Sequence, residues 1–296
     1  MEYHSPEIPE GINTSKEHPL KEFFILVTGV IGLLAVILFS LSLAAEHLAQ
    51  YVPFSAEQRI AALYENTLPA KKIVDPDEEK IQRYLQQLAD QLAAAEELEP
   101  GMTIKMHYVN DDTVNAFATL GGHVVMFRGL LEKIPDENTL AMVMAHEIAH
   151  IKHRHPIKAL GRAVIVGVAI GLVSTSMGDS MTSRILGDAG LLTTLKFSRD
   201  QETQSDNTAM QAMAAHYGHV TGADKLFEIL QQEHGEDGLR VPQFLSTHPL
   251  SAQRIQNVNN HAVQAGWSLQ QKATSLPAEF SDWLTTSRQE AIVEPK

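Results

Sequence analysis

From Phe23 to Ala45 the chain reads FFILVTGVIGLLAVILFSLSLAA, without one charged side chain. As a helix rising ~1.5 Å per residue, this run is long enough to cross a hydrocarbon core of ~30 Å. Residues 1–22 ahead of it are a short polar tail with prolines at 6, 9 and 19, and read as disordered. Past the apolar run the pattern changes to helical spacing. In DPDEEKIQRYLQQLADQLAAAEEL, Asp75 can cap, Pro76 suits the first helical position and Glu78 adds a capping-box-like start. Ile81, Tyr84, Leu85, Leu88, Leu92 and Ala95 then share one face, and Pro100-Gly101 stops the helix.

The period next shortens to two. In MTIKMHYV (102–109), Ile104, Met106 and Tyr108 alternate with Lys105 and His107, the pattern of a half-buried strand. GGHVVMFRG (121–129), a short apolar run between glycines, predicts a second strand. Pro135-Asp136 opens a further helix with Asp136 as cap. It can run to about His155, because Pro156 disfavours helical geometry in its predecessor. Residues 163–177, AVIVGVAIGLVSTSM, are almost wholly apolar but bracketed by Arg162 and Asp179, and read as a buried or interfacial helix rather than a second span.

Composition narrows the chemistry. A length of 296 residues allows one large domain or two modest ones. The net charge of -13 and pI near 5.5 argue against nucleic acid as a partner, since phosphate binding needs clustered Lys and Arg. With no cysteine, disulfides, thiol catalysis and Cys-ligated zinc drop out together. Any metal must be held by His and carboxylates. Ser42-Leu43-Ala44 resembles a signal-peptidase site, yet signal cores run only ~7–15 residues, so residues 23–45 are expected to stay as an anchor. Lys16 and Lys21 precede the anchor and Arg59 is the first basic residue after it. The positive-inside tendency then leaves the tail in the cytoplasm and sends the rest across.

The candidate chemistry lies in MVMAHEIAHIKHRHP, Met142 to Pro156. On a helix, His146 and His150 are four apart and can direct both imidazoles at one ion. Glu147 is turned about 100° from His146 and can reach a water on that ion instead. A His-rich helix end could equally be favourable to the helix dipole alone, so a third ligand decides the matter. The extended metzincin pattern is excluded, because the places for its Gly and third His hold His153 and Pro156. A carboxylate from a later helix is the other solution. KFSRDQETQSDNTAMQAMAAH offers Glu202, with Asp200 and Asp206 as alternatives.

His-Glu-Ile-Ala-His, then Ser-Arg-Asp-Gln-Glu-Thr-Gln-Ser-Asp, then Thr-His-Pro with Arg254-Ile255 beyond, resembles metallopeptidase family 48, the gluzincins related to the CAAX prenyl protease, HtpX and BepA. VNAFATLGGHVVMFRGLL before the motif is similar to that family's substrate-strand region, and the resemblance runs over roughly residues 60–260. It implies an α+β, mainly helical zincin catalytic domain with a small antiparallel sheet, here preceded by one transmembrane helix. It also implies Glu202 as third zinc ligand, Asp206 as the acid orienting a ligating His, His248 as the active-site histidine of Thr-His-Pro, and Arg254 as a residue ordering that region. Ser205 stands where the family often has Ala.

The expected protein is a membrane-anchored zinc metalloendopeptidase holding one Zn2+ per chain. Glu147 is its general base, and zinc with His248 stabilises the oxyanion. The strand His123, Val124, Val125, Met126, Phe127 could hold an extended substrate by edge pairing. Expected partners are protein or peptide substrates and membrane lipid through residues 23–45. The expected organisation is a tail at 1–22, the anchor at 23–45, a peptidase domain at 46–265 and a C-terminal extension at 266–296. The expected location is a bacterial inner membrane, single-pass, with the domain on the periplasmic side and envelope protein quality control as its work. The rival from another class is a membrane-tethered binding or chaperone-like protein with an inert metal site.

Overall fold

The computed structural model describes residues 19–49, 51–65, 68–69, 73, 75–173, 196–236, 244, 247–249 and 251–293. Helix α1 (Pro19–Ala49) is the apolar run extended at both ends. It is the one helix among the described residues found long and apolar enough to cross a membrane, and its most apolar stretch is not buried by the rest of the protein. Helix α2 (Phe54–Tyr64) follows, then α3 (Pro76–Ala95). The side chain of Asp75 accepts from the Asp77 N–H at 3.0 Å, and Pro76 sits at the helix start where its missing N–H costs nothing. Ile81, Leu85, Leu88, Ala89 and Leu92 form the buried face of α3.

Three short strands make a sheet in the order β1 (Lys105–Val109), β3 (His123–Phe127), β2 (Ala116–Ala118). The sheet is mixed rather than wholly antiparallel. β2 and β3 are antiparallel and β1 and β3 parallel, because the chain reverses direction twice between β1 and β3. The second reversal is the turn Leu120–Gly122. Gly121 and Gly122 both take positive φ there (73° and 88°), and a Cβ on Gly122 would run into the Thr103 carbonyl.

After the short helix α4 (Arg128–Leu131) comes α5 (Glu137–Lys152), capped by Asp136, whose carboxylate accepts from the Thr139 N–H at 2.8 Å. From Asn138 to Ile151 every residue of α5 is buried. A helix with no solvent face needs partners all round, and α3, the sheet and α7 (Arg199–Tyr217) supply them. α5 stops at Lys152, three residues short of the sequence expectation. Arg154 takes the left-handed conformation (φ 60°), and Pro156 falls in the first turn of α6 (His155–Val173), where proline is tolerated. The corner is held from α2: Arg154 donates through Nε to Glu57 and through Nη2 to the Val52 carbonyl, both at 2.6 Å. The expected 163–177 helix is described to Val173, and residues 174–177 lie outside the described residues.

Helices α8 (Lys225–Glu236), α9 (Ala252–Ala265) and α10 (Phe280–Val293) complete the chain. α10 packs onto the main core. Phe280 and Leu284 belong to the main core, Phe280 meets Tyr84 of α3 edge-on at 5.4 Å, and Tyr108 of β1 hydrogen-bonds Ser287 at 2.9 Å.

Candidate metal centre

α5 presents His146 and His150 on one face, as their spacing dictates, and α7 crosses that face with Glu202. α7 starts from a capping box, Ser198 with Gln201, which places Glu202 in its first turn with Asp206 one turn on. His248 comes in from the chain ahead of α9, its N–H bonded to the Phe244 carbonyl at 2.8 Å. His146, Glu147, His150, Glu202 and His248 are all at most 1% exposed. Asp200, one of the alternative acids, is exposed and plays no part in this cluster.

His146 Nε2 lies 3.1 Å from His150 Nε2 and 3.3 Å from His248 Nδ1. Glu202 oxygens lie 3.5 Å from His146 Nε2, 3.5 Å from His150 Nε2 and 3.1 Å from His248 Nδ1. A regular tetrahedron with edges of ~3.3 Å has its corners ~2.0 Å from its centre, the length of a Zn–N or Zn–O bond. Five of the six spacings in the donor set lie between 3.1 and 3.5 Å, those to Glu202 taken from either carboxylate oxygen, and spacings of that size suit a zinc ion. His146 Nδ1 faces the Asp206 carboxylate and His150 Nδ1 faces His155, so with both rings neutral the two Nε2 atoms turn lone pairs on one another, an arrangement that a cation between them stabilises. Burial and the neighbouring His146 hold His150 well below the usual histidine pKa, in the neutral form that a metal requires. Burial would raise the Glu202 carboxyl, but His248 and His146 outweigh it and keep the carboxylate ionised.

Each ligand candidate is steered from behind. His146 Nδ1 lies 2.9 Å from Asp206 Oδ1, and Asp206 is gripped by Arg254. Arg254 Nη1 also reaches Glu202 Oε2 at 2.7 Å, so one guanidinium ties both acids together. His150 Nδ1 faces His155 Nδ1 at 2.9 Å, and His155 Nε2 meets Gln204 Oε1 at 3.2 Å. The Gln204 oxygen only accepts, so the His155 proton is on Nε2. His150 must then donate from Nδ1, which leaves its Nε2 lone pair for the metal. The Phe197 ring stacks on His150 with centroids 3.9 Å apart. Ser205, where the family often has Ala, is buried with Oγ 3.4 Å from His155 Nδ1.

Glu147 is not one of the four donors. Its Oε2 accepts from the Ala118 N–H of β2 at 2.7 Å, and its Oε1 lies 3.4 Å from His248 Nε2. Here the edge-strand expectation needs correction. His123–Phe127 is the middle strand, paired along its whole length with β1 and over Val124–Met126 with β2. In the antiparallel ladder, Asn115 and Thr119 bond to β3, so Ala116 and Ala118 turn their N–H and C=O the other way. The edge beside Glu147 belongs to β2. Among the described residues, His155, Gln204, Phe197, the Phe244 ring stacked on His248 and the Ala118 N–H join the site without any signal in the sequence.

The sequence pattern that defines Peptidase family M48 matches residues 77–262, from α3 to the end of α9. This chain belongs to peptidase family M48. Among M48 relatives, it is 33% identical over 162 residues to the mitochondrial metalloendopeptidase OMA1 of Schizosaccharomyces pombe, covering 54% of this chain and 47% of that protein. It is 31% identical over 169 residues to the β-barrel assembly-enhancing protease of Escherichia coli K12, covering 53% of this chain and 34% of that protein. The chain thus spans less than half the length of these M48 relatives. The family match over residues 77–262 includes His146, His150, Glu202 and His248.

Proposed function

We propose that this chain is a membrane-anchored zinc metalloendopeptidase that hydrolyses peptide bonds in envelope proteins. The observation that carries the proposal is the buried cluster of His146, His150, Glu202 and His248 donors, with a carboxylate, Glu147, beside it and outside it. Bound there, zinc would act as a Lewis acid and lower the pKa of a water from 15.7 to about 7. Glu147 takes the proton of the attacking water and returns it to the leaving amine. Asp206 and His155 act as positioning residues, fixing the rings of His146 and His150 from their Nδ1 sides.

His248 has two tasks in this account. With Nδ1 among the donors it completes the set, which is a resting arrangement. Turned away, it donates a hydrogen bond to the oxyanion as the peptide carbonyl is attacked. An extended substrate pairs with the outer edge of β2, whose Ala118 N–H already points at Glu147.

α1 supplies the anchor, and the basic residues on its short side orient the domain away from the cytoplasm. One OMA1 relative is named as mitochondrial and another relative as assisting β-barrel assembly, which supports substrates among envelope proteins. The test is hydrolysis of an unfolded protein by the full chain in lipid vesicles. Activity lost to a chelator and restored by zinc supports the peptidase. A zinc-loaded, folded protein that binds unfolded chains without cleaving them would favour the binding-protein rival.

A further inference from the structure

α1 has one covered stripe. Leu38, Ser42, Ala45 and Glu46 are half-buried and Ala49 is buried, while the positions between them are exposed. The 4-3-4 spacing of Leu38, Ser42, Ala45 and Ala49 is a single helix face. α6 packs against it. Ile157 of α6 clusters with Ala49, and a Cβ placed on Gly161 would lie 3.5 Å from the Cβ of Ala45. Numbers fall along α1 as they rise along α6, so the two helices run antiparallel. Small residues at Gly161, Ala45 and Ser42 let them approach closely, as in helix pairs within lipid.

Charge marks the level at which this pair leaves water. Arg162 is the last charged residue before the apolar run of α6, and Glu46 is the first after the apolar run of α1. Arg162 Nη1 and Glu46 Oε1 lie 3.3 Å apart, and Gln201 reaches both of them. Leu38 is eight residues inside that level, about 12 Å along the helix. Ala163–Val173 contains no charged or polar side chain, and these eleven residues rise about 16 Å.

We infer that α6 beyond Arg162 enters the lipid hydrocarbon beside α1 to about half its depth, so that two helices hold the domain and the metal centre sits at the membrane surface. This rests on α1 spanning the bilayer. The partner is the acyl-chain region of the bilayer itself. A helix whose neighbour is in hydrocarbon at Leu38 and Ser42 must share that medium, and an uncharged helix can do so because its backbone groups are bonded along the helix up to its last turn. Gln201, next to Glu202, contacts Glu46, so the surface level lies one residue from the metal site.

The chain has no cysteine, so single cysteines can carry an environment-sensitive fluorophore in the full chain in phosphatidylcholine vesicles. Val164→Cys and Ile170→Cys report on α6, Leu34→Cys on α1, and Ser55→Cys on an exposed site of α2. The expected result is quenching of the α6 labels by nitroxides on lipid chains, Val164 by shallow ones and Ile170 by deep ones, with Leu34→Cys also lipid-quenched. Ser55→Cys should respond to aqueous iodide instead. Iodide quenching at position 170 would overturn the inference. So would a label protected from both quenchers, which means burial in protein. An unquenched Leu34→Cys would remove the anchor beneath it. Retained zinc in each variant shows the fold intact, and the readout stands whether or not the protein cleaves anything.

Discussion

Arg254 grips Asp206 at two points, Nε to Oδ2 and Nη2 to Oδ1, both at 2.8 Å and both buried. Asp206 in turn faces His146 Nδ1 at 2.9 Å. A flat guanidinium matches a carboxylate in this way and an ammonium cannot. The guanidinium therefore sets the plane of a carboxylate 48 residues before it, and that carboxylate sets the ring of His146. Burial would raise the Asp206 carboxyl, but Arg254 and His146 hold it below the usual carboxylate range.

Removing Arg254 leaves two buried acids without their cation. Arg254→Ala should lower stability by about 3–5 kcal/mol, the cost of breaking a buried pair. Zinc affinity should fall by about 10–100-fold, the usual effect of losing an outer support. Arg254→Lys keeps the charge but not the two-point contact, and should recover stability better than affinity. Denaturation midpoints and chelator competition measure the two quantities, and unchanged zinc affinity in Arg254→Ala would break the link to His146.

The third protein ligand is testable by comparison. Glu202 is buried among the histidines and Asp200 is exposed two residues earlier. Glu202→Ala should lose zinc at concentrations where the wild type and Asp200→Ala remain loaded. Equal metal content in the two variants would remove Glu202 from the site.

His248→Ala separates the resting ligand from the oxyanion donor. Three donors remain, so zinc should stay bound, though more loosely. Hydrolysis should fall by about 10²–10³, the value of one oxyanion donor. A variant that cleaves faster than wild type would leave His248 as an inhibitory plug and nothing more.

Glu96 predicts a pH effect remote from catalysis. It is buried, neither carboxylate oxygen has a hydrogen-bond partner, and burial raises its pKa well above 4.5 against the opposing charge of Lys152. The folded state thus binds this proton more tightly than the unfolded chain. Stability associated with Glu96 is full below the unfolded pKa and declines as pH rises toward the folded one. Glu96→Gln, which mimics the protonated form, should match wild type at acid pH and exceed it progressively above about pH 4.5. Melting temperatures across pH check this, and parallel curves for the two proteins would contradict it.

Much of this was legible because local rules governed it. Asp75 and Asp136 cap their helices as their side chains allow, and His146 and His150 share a face because helices repeat every 3.6 residues. Glu202, Asp206, His248 and Arg254 are 56 to 108 residues beyond His146, so the residues alone offer Glu202 and Asp206 only as candidates, and the roles of all four come through resemblance. β2 leaves no mark in the sequence because three residues, Ala-Phe-Ala, are too short to show a period, and without it β3 reads as an edge. His155 was not assigned a role because its position depends on the left-handed Arg154, which turns it back onto His150. That conformation is fixed by Glu57, 97 residues away, and no local pattern announces it.

The central claim is that Glu147 moves the proton and does not hold the metal. The most direct measurement is peptide hydrolysis by Glu147→Gln in lipid vesicles, with zinc counted in the same sample. The account predicts one zinc per chain and a rate lower by about 10²–10⁴, because an amide in place of the carboxylate cannot accept the proton. A Glu147→Gln protein that keeps its zinc and cleaves at the wild-type rate would contradict it.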